Sequence, residues 1–262
     1  MAVVVTGASG FIGTVLSGAL VGAGIEQRAL GATANGAVLL HLGETADAGS
    51  AEHDGDPYIA AQVALARRLA DNGFSHIVYA SSALVYGDAV AHPRRPDEPP
   101  RPAGVYARAK LAVEEVVLGL GGTVLRLANV YGPGMARNNV VSDLLRQIPG
   151  TGPVVLRDAG PVRDFVWVDD VAAAFVAAAM KLPSGVFNVG TGIATSAGEL
   201  AALVLRLARQ PTRSVQSASR AARRSTLVLD PAATQNALGW RAAVPLAEGI
   251  SRLLLAGNHV EA

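Results

Sequence analysis

Thr6 to Gly13 reads TGASGFIG, with glycines at positions 7, 10 and 13, and this segment constrains the fold more than any other in the chain. The apolar run Ala2–Val5 precedes it, and a helical stretch to about Val21 follows. In a G-x-x-G-x-x-G spacing between a strand and a helix, each glycine has its own physical reading. Gly7 permits a tight turn, Gly10 lets the backbone approach a pyrophosphate, and Gly13 lets the helix pack close to the strand. An anion then rests on the N–H groups at the helix N-terminus, where Phe11 and Ile12 stand. A ligand-free glycine turn is the competing reading, and the strand–turn–helix context weighs against it.

The N-terminal half continues as short β-branched runs alternating with alanine- and leucine-rich helical stretches. Val38–Leu42, His76–Ala80 and Thr123–Leu127 read as buried strands, with helices near Tyr58–Asp71 and Val105–Leu118. The pattern predicts an α/β fold, a Rossmann-type doubly wound parallel sheet. Beyond about Gly132 the elements shorten and Gly and Pro become more frequent. Residues 1–132, with returning segments near 163–192, are expected to form the dinucleotide-binding domain. Residues 133–262 are expected to form mostly a small substrate-binding lobe. The stretch from His92 to Pro102 holds five prolines and reads as a surface loop.

Composition removes several classes of function. Half the 262 residues are apolar and 16% are charged, which argues against disorder. A formal charge of +1 gives no electrostatic case for nucleic acid or a membrane surface. There is no cysteine, so disulfides and thiolate chemistry are excluded, and the five histidines show no metal-ligand spacing. The run Val171–Met180 is too short to span a bilayer. With no basic segment or cleavage site before Ala2, a soluble cytoplasmic protein is expected.

Tyr106 and Lys110, in VYARAK, stand four residues apart and share one face of a helix. An ammonium beside a phenol favours the phenolate, which makes a tyrosine useful as an acid and base near neutral pH. ASSALVYG adds Ser82 at the C-terminal end of a strand, where open α/β sheets bind ligands. With these residues the chain resembles the extended short-chain dehydrogenase/reductase family, the NAD-dependent epimerases and dehydratases of nucleotide sugars. The likeness runs in order through TGASGFIG, HLG (His41, Leu42, Gly43), SSALVYG, YARAK, RLANVYGPG, RDFVWVDDVA, FNVGTG and DPAATQNALGW.

The resemblance implies NAD or NADP as cofactor, held by Gly7, Gly10, Phe11, Ile12, Gly13, His41, Leu42, Gly43, Tyr106 and Lys110. It implies Tyr106 as acid/base, Lys110 as holder of the nicotinamide ribose, and Ser82 as hydrogen-bond partner of the sugar oxygen. Ser81 is read as structural. Asn129, Arg163 and Arg220, with Ser82, are the expected contacts to a nucleotide-diphosphate sugar, arginine forks being suited to a diphosphate. Asp164, Asp169 and Asp170 are expected to cap the following helix and support the fold, and Trp167 to pack. A homodimer follows from the likeness alone.

The chain also departs from that family. Only about seven residues separate a second strand, Glu26–Leu30, from Val38–Leu42, where a parallel crossover takes about ten to twelve or more. The tip Leu30-Gly31-Ala32-Thr33 carries no acidic residue for an adenosine ribose. Arg223 stands where an aspartate usually follows the arginine at 220, and Arg224 is next to it. Ala83-Leu84 replaces the Asp-Glu pair of 4,6-dehydratases, so dehydration is not expected. A sugar 4-epimerase is the leading reading. An NADPH-dependent 4-ketoreductase of a nucleotide-linked deoxysugar is the alternative, and a non-catalytic dinucleotide-binding protein the third.

Overall fold

The computed structural model describes residues 1–31, 36–43, 48–219 and 225–257. The first half runs β1 (Ala2–Thr6), α1 (Phe11–Gly22), β2 (Glu26–Arg28), β3 (Val38–His41), α2 (Ala48–Asp54), α3 (Asp56–Ala70), β4 (His76–Ser82), a 3-10 turn (Ala83–Tyr86), α4 (Val105–Gly119) and β5 (Thr123–Leu127). Then follow β6 (Asn129–Tyr131), α5 (Val140–Gln147), β7 (Val154–Leu156), β8 (Val162–Arg163), β9 (Phe165–Trp167), α6 (Val168–Lys181) and β10 (Gly185–Val189). The chain continues through β11 (Thr195–Ser196), α7 (Ala197–Leu207), β12 (Val215–Ser217), β13 (Thr226–Leu227), α8 (Ala232–Leu238) and α9 (Leu246–Gly257).

Six strands form one parallel sheet in the order β10-β5-β4-β3-β1-β2. Strands covered on both faces need continuous apolar runs, and β3 and β5 are buried at every position. On one face α1 and α6 supply Leu16, Leu20, Val171, Phe175 and Ala178 to the core. On the other, Leu69 from α3 and Val113 and Val117 from α4 pack on Tyr79. A separate core, built on Tyr131, Leu144, Phe165, Trp167, Leu200 and Ile250, joins the short strands and helices of the second half. Trp167 is buried there, edge-on to Tyr131 at 5.3 Å.

β2 and β3 flank β1 on opposite sides, β2 ending at Arg28 and β3 beginning at Val38. Residues 32–35, including Ala32 and Thr33 of the expected strand tip, lie outside the described residues. β2 is shorter than expected, ending at Arg28. It is an exposed edge whose Glu26 and Arg28 pair at 2.9 Å, a charged rim unfavourable to further strand pairing.

The proline-rich segment is not wholly a surface loop. Arg94 is 3% exposed, its backbone bonds to Val228 and Asp230, and Arg101 N–H donates to the Val85 carbonyl. The guanidinium lies 5.0 Å from the centre of the Tyr86 ring and bonds Glu98 at 2.7 Å. A charged residue among prolines looks solvated until the long-range partner that buries it is known.

Candidate functional site

The glycine turn joins β1 to α1 with Gly7 at φ 74°, in the left-handed region. A Cβ on Gly7 would stand 2.8 Å from the Leu42 carbonyl group, so Leu42 and Gly43 pack directly on the turn. Gly43 N–H donates to Thr6 Oγ1 at 3.3 Å, and a Cβ on Gly43 would stand 2.9 Å from Thr6 Cβ. His41 is buried, its Nδ1 sharing a hydrogen bond of 2.7 Å with Thr6 Oγ1 and its ring 5.5 Å from Tyr79. It braces the loop from beneath. Gly10 is the exposed N-cap of α1, and no side chain caps that end of the helix. Phe11 reaches across to the loop after β6, 3.7 Å from where a Cβ on Gly132 would stand. Ile12 packs on the main core. An uncapped helix end behind an exposed glycine fits a pyrophosphate.

α4 begins at Val105 because Gly104, at φ 85°, turns the chain. Its first N–H is capped from another element, Glu52 of α2, at 2.5 Å. Tyr106 is half-buried on the first turn of α4. Lys110, one turn on, is buried, and its Nζ donates to the Ala80 carbonyl at 2.8 Å. The same nitrogen lies 5.7 Å from the centre of the Tyr106 ring and 4.9 Å from that of Tyr79.

At the end of β4, consecutive residues face opposite ways. Ser81 is buried and donates its hydroxyl hydrogen to Glu114. Ser82 Oγ accepts from Leu84 N–H at 3.2 Å, which leaves its own hydrogen to be donated elsewhere.

Glu114 also receives Arg126 of β5, Nε at 3.0 Å and Nη2 at 2.6 Å. Burial works against the charge on Arg126, yet Glu114 and Tyr86 hold its pKa above the usual guanidinium range. Burial pushes the Tyr86 phenol up as well, and its hydroxyl donates to Asn188 Oδ1 at 2.8 Å. Arg126 opens the motif RLANVYGPG and Asn188 falls within FNVGTG, but neither is assigned a role by sequence, and Glu114 lies in none of the motifs. The signal available for Glu114 was its spacing of four from Lys110.

In the second half, Asn129 and Arg163 line one cavity of ≈ 550 Å³, with Asn138, Arg157 and Asp158. Arg163 donates to the Ser225 carbonyl at 3.1 Å and to Ser225 Oγ at 2.7 Å, and lies 3.7 Å from Asp88. Arg220, Arg223 and Arg224 lie outside the described residues. Asp164 caps no helix. It accepts from Thr191 N–H at 2.9 Å, Thr191 Oγ1 at 2.6 Å and Gly192 N–H at 3.0 Å, clasping the loop after β10. Burial raises its pKa although those bonds oppose the rise. Asp169 and Asp170 stand in the first turn of α6, where carboxylates suit the helix dipole, and Asp170 also accepts from Val244 N–H at 3.0 Å. Among the described residues there is no cluster of potential metal ligands and no helix long and apolar enough to cross a membrane.

The NAD dependent epimerase/dehydratase family matches residues 31–190. The chain is 34% identical over 206 residues to the UDP-glucose 4-epimerase of Mycolicibacterium smegmatis, a match covering 73% of this chain but 64% of that one. It therefore spans less than two thirds of that relative's length. Two solved structures superpose at a TM-score of 0.86 and 25% identity: the UDP-glucose 4-epimerase of Thermotoga maritima with UDP-glucose, and RMD from Pseudomonas aeruginosa complexed with NADPH. The first match covers 99% of both chains and the second 97% of both.

Proposed function

The chain belongs to the NAD dependent epimerase/dehydratase family, and from that premise we propose that it is an NAD(P)-dependent 4-epimerase of a nucleotide-diphosphate sugar. The observation that carries the reading is the placement of Lys110 against the Tyr106 ring, anchored two residues before Ser82. A bound nicotinamide supplies the acceptor and donor of hydride at the sugar carbon. Tyr106 takes the proton of the sugar hydroxyl during oxidation and returns it during reduction. Lys110 stabilises the phenolate that this requires. Ser82, its lone pair already engaged by Leu84 N–H, donates to the same sugar oxygen. Asn129, Arg163 and Arg220 hold the diphosphate. The uncapped start of α1, with the Leu42–Gly43 backbone packed behind it, holds the dinucleotide, NAD or NADP.

The two cores support a division into a dinucleotide-binding domain, residues 1–132 with segments near 163–192, and a substrate lobe over most of 133–262. A cytoplasmic homodimer fits the reading, paired through the outer face of α3 and α4, where Val63, Arg67, Glu115 and Val116 border a shallow depression.

One observation favours a second reading, an NADPH-dependent 4-ketoreductase. β2 is a three-residue exposed edge, which gives the adenosine half of a dinucleotide little to rest on and suits an exchangeable cofactor. The dinucleotide content of freshly purified protein separates the two. Near-stoichiometric NAD supports the epimerase, whereas an empty site with NADPH oxidation on a ketosugar supports the reductase. A protein that binds dinucleotide without turnover has no need of the Ser82–Tyr106–Lys110 set. Tyr106→Phe is expected to abolish either activity without moving the thermal melt, and undiminished turnover would remove Tyr106 from the mechanism.

A further inference from the structure

Lys110 and Glu114 lie one turn apart on α4, a spacing at which an ammonium and a carboxylate ordinarily pair. Both are buried, at 6% and 1% exposure. Among the described residues no ion pair joins them. They reach adjacent residues of β4 instead, Lys110 the Ala80 carbonyl and Glu114 the Ser81 hydroxyl. What turns the carboxylate aside is Arg126, which stands opposite Ser81 in the β4–β5 ladder and bonds Glu114 through two nitrogens. Its guanidinium carbon is 4.5 Å from the centre of the Tyr86 ring, so ring and carboxylate together fix its plane.

We propose that Arg126 is a positioning residue for the reaction: it holds Glu114 away from Lys110 and so keeps the ammonium directed at the Tyr106 ring. The inference rests on reading Tyr106 and Lys110 as the reacting pair. A buried carboxylate deprived of its cation is not rescued by water, and the nearest ammonium along its own helix face is that of Lys110. Once paired with Glu114, that ammonium no longer stabilises a phenolate at Tyr106.

The other groups around α4 leave this competition intact. From α2, Glu52 is occupied at the N-terminal end of the helix by Val105 N–H. From α3, Asp56 faces the half-exposed Arg108 at 3.7 Å, and Tyr58 packs beside Val105. β4 contributes the Tyr79 ring beneath the Lys110 nitrogen, and the turn after it contributes Tyr86, bonded to Asn188. Among the described residues Arg126 is the one cation paired with Glu114.

The test compares full-length wild type, Arg126→Met and Arg126→Met/Glu114→Gln, with UDP-glucose and NAD as probes and turnover followed across the neutral and alkaline range. In Arg126→Met the carboxylate captures Lys110. Turnover at neutral pH then falls on the order of tenfold, and the pH of half-maximal turnover rises while KM for the sugar nucleotide is unchanged. Adding Glu114→Gln returns the profile towards wild type, which a merely structural arginine does not predict. A profile for Arg126→Met that coincides with wild type overturns the proposal, as does a shift that Glu114→Gln fails to reverse. Arg126→Gln, which keeps one donor for the carboxylate, is measured in parallel in case the methionine variant does not fold, and an unshifted profile there counts equally against it. Tyr106→Phe separates the two levels. Activity in that variant sinks the reacting pair itself, whereas its inactivity beside an unshifted Arg126→Met sinks only the role of Arg126. If wild type does not turn over UDP-glucose, tyrosinate absorbance titrated in each background with and without Tyr106→Phe reports the same shift and the same reversal.

Discussion

Gly13 and Gly18 lie on the same helix and differ in what an added methyl group meets. At Gly18, exposed on α1, nothing stands within 4 Å of the new carbon. At Gly13 the carbon would overlap the Gly7 carbonyl oxygen and stand 2.7 Å from Ala8 Cα, against an ordinary carbon–carbon separation of roughly 3.5 Å or more. All of these neighbours are backbone and none can rotate aside. Gly18→Ala should therefore gain helix propensity, about 1 kcal/mol, and raise Tm by about 2–4 °C. Gly13→Ala receives the same propensity gain but must push α1 away from the turn, and the overpacking leaves a net loss of about 1–3 kcal/mol. The displacement also moves the N–H groups that follow Gly10, so affinity for NAD should fall at least about tenfold, the loss of a single charge-assisted hydrogen bond. Thermal melts followed by circular dichroism and titration calorimetry with NAD measure both effects. A Gly13→Ala protein that melts at or above wild type and binds NAD as well would refute the reasoning.

Asp164→Ala leaves the N–H groups of Thr191 and Gly192 without their acceptor, and should cost about 3–5 kcal/mol in denaturant unfolding. A loss below about 1 kcal/mol would mean that the loop after β10 finds other partners. Burial lowers the His76 pKa from its ordinary 6.5, against the pull of the Pro183 carbonyl. The unfolded chain then takes up the proton more readily, so this contribution to stability is complete above pH 6.5 and declines as pH falls through the window below it. His76→Gln should flatten that decline in stability measured against pH, and parallel curves for the two proteins would exclude His76 as its source. Calorimetry should find NAD and NADP bound more weakly than by full-length relatives with a complete adenosine pocket, and tight binding of either would contradict that expectation.

The sheet was legible where the chain left no alternative. Val38–Leu42, His76–Ala80 and Thr123–Leu127 are short runs rich in apolar and β-branched residues, and they are β3, β4 and β5 to within two residues. The helix from Val105 was legible at both ends, with a glycine before it and glycines after it. Ser81 and Ser82 are distinguished in sequence only through the family resemblance, in which the hydroxyl residue stands five before Gly87, and in the structure Ser81 turns to Glu114. Other features depend on pairings that no local pattern announces. Arg94 reads as a solvated charge among prolines, and is buried only because the segment Val228–Asp230 pairs with it. The Glu114–Arg126 pair joins a helix to the next strand, and its meaning appears only with Ser81 beside Arg126 in the ladder. Asp88 and Arg163, from distant parts of the chain, meet beside Ser225.

The two ends of the expected cofactor cleft are thus built on different principles. Around Tyr106 every element is cross-braced: α4 to β4 through Lys110 and Glu114, β4 to β5 through Ser81 and Arg126, and the turn after β4 to β10 through Tyr86 and Asn188. Buried polar networks that are well connected hold geometry at the scale that proton transfer needs. Around β2 the opposite holds, since a short exposed strand with its own internal ion pair offers a dinucleotide few fixed contacts. β2 ends at Arg28 and β3 begins at Val38, a separation shorter than a parallel crossover with its helix ordinarily takes. Affinity drawn from the glycine turn and the nicotinamide end, with little from adenosine, would make release faster than from a fully built pocket. An epimerase gains nothing from faster release, whereas a reductase must release its cofactor in every cycle. The choice between the two proposed activities therefore turns on the edge strand, since both readings assign the chemistry to Tyr106.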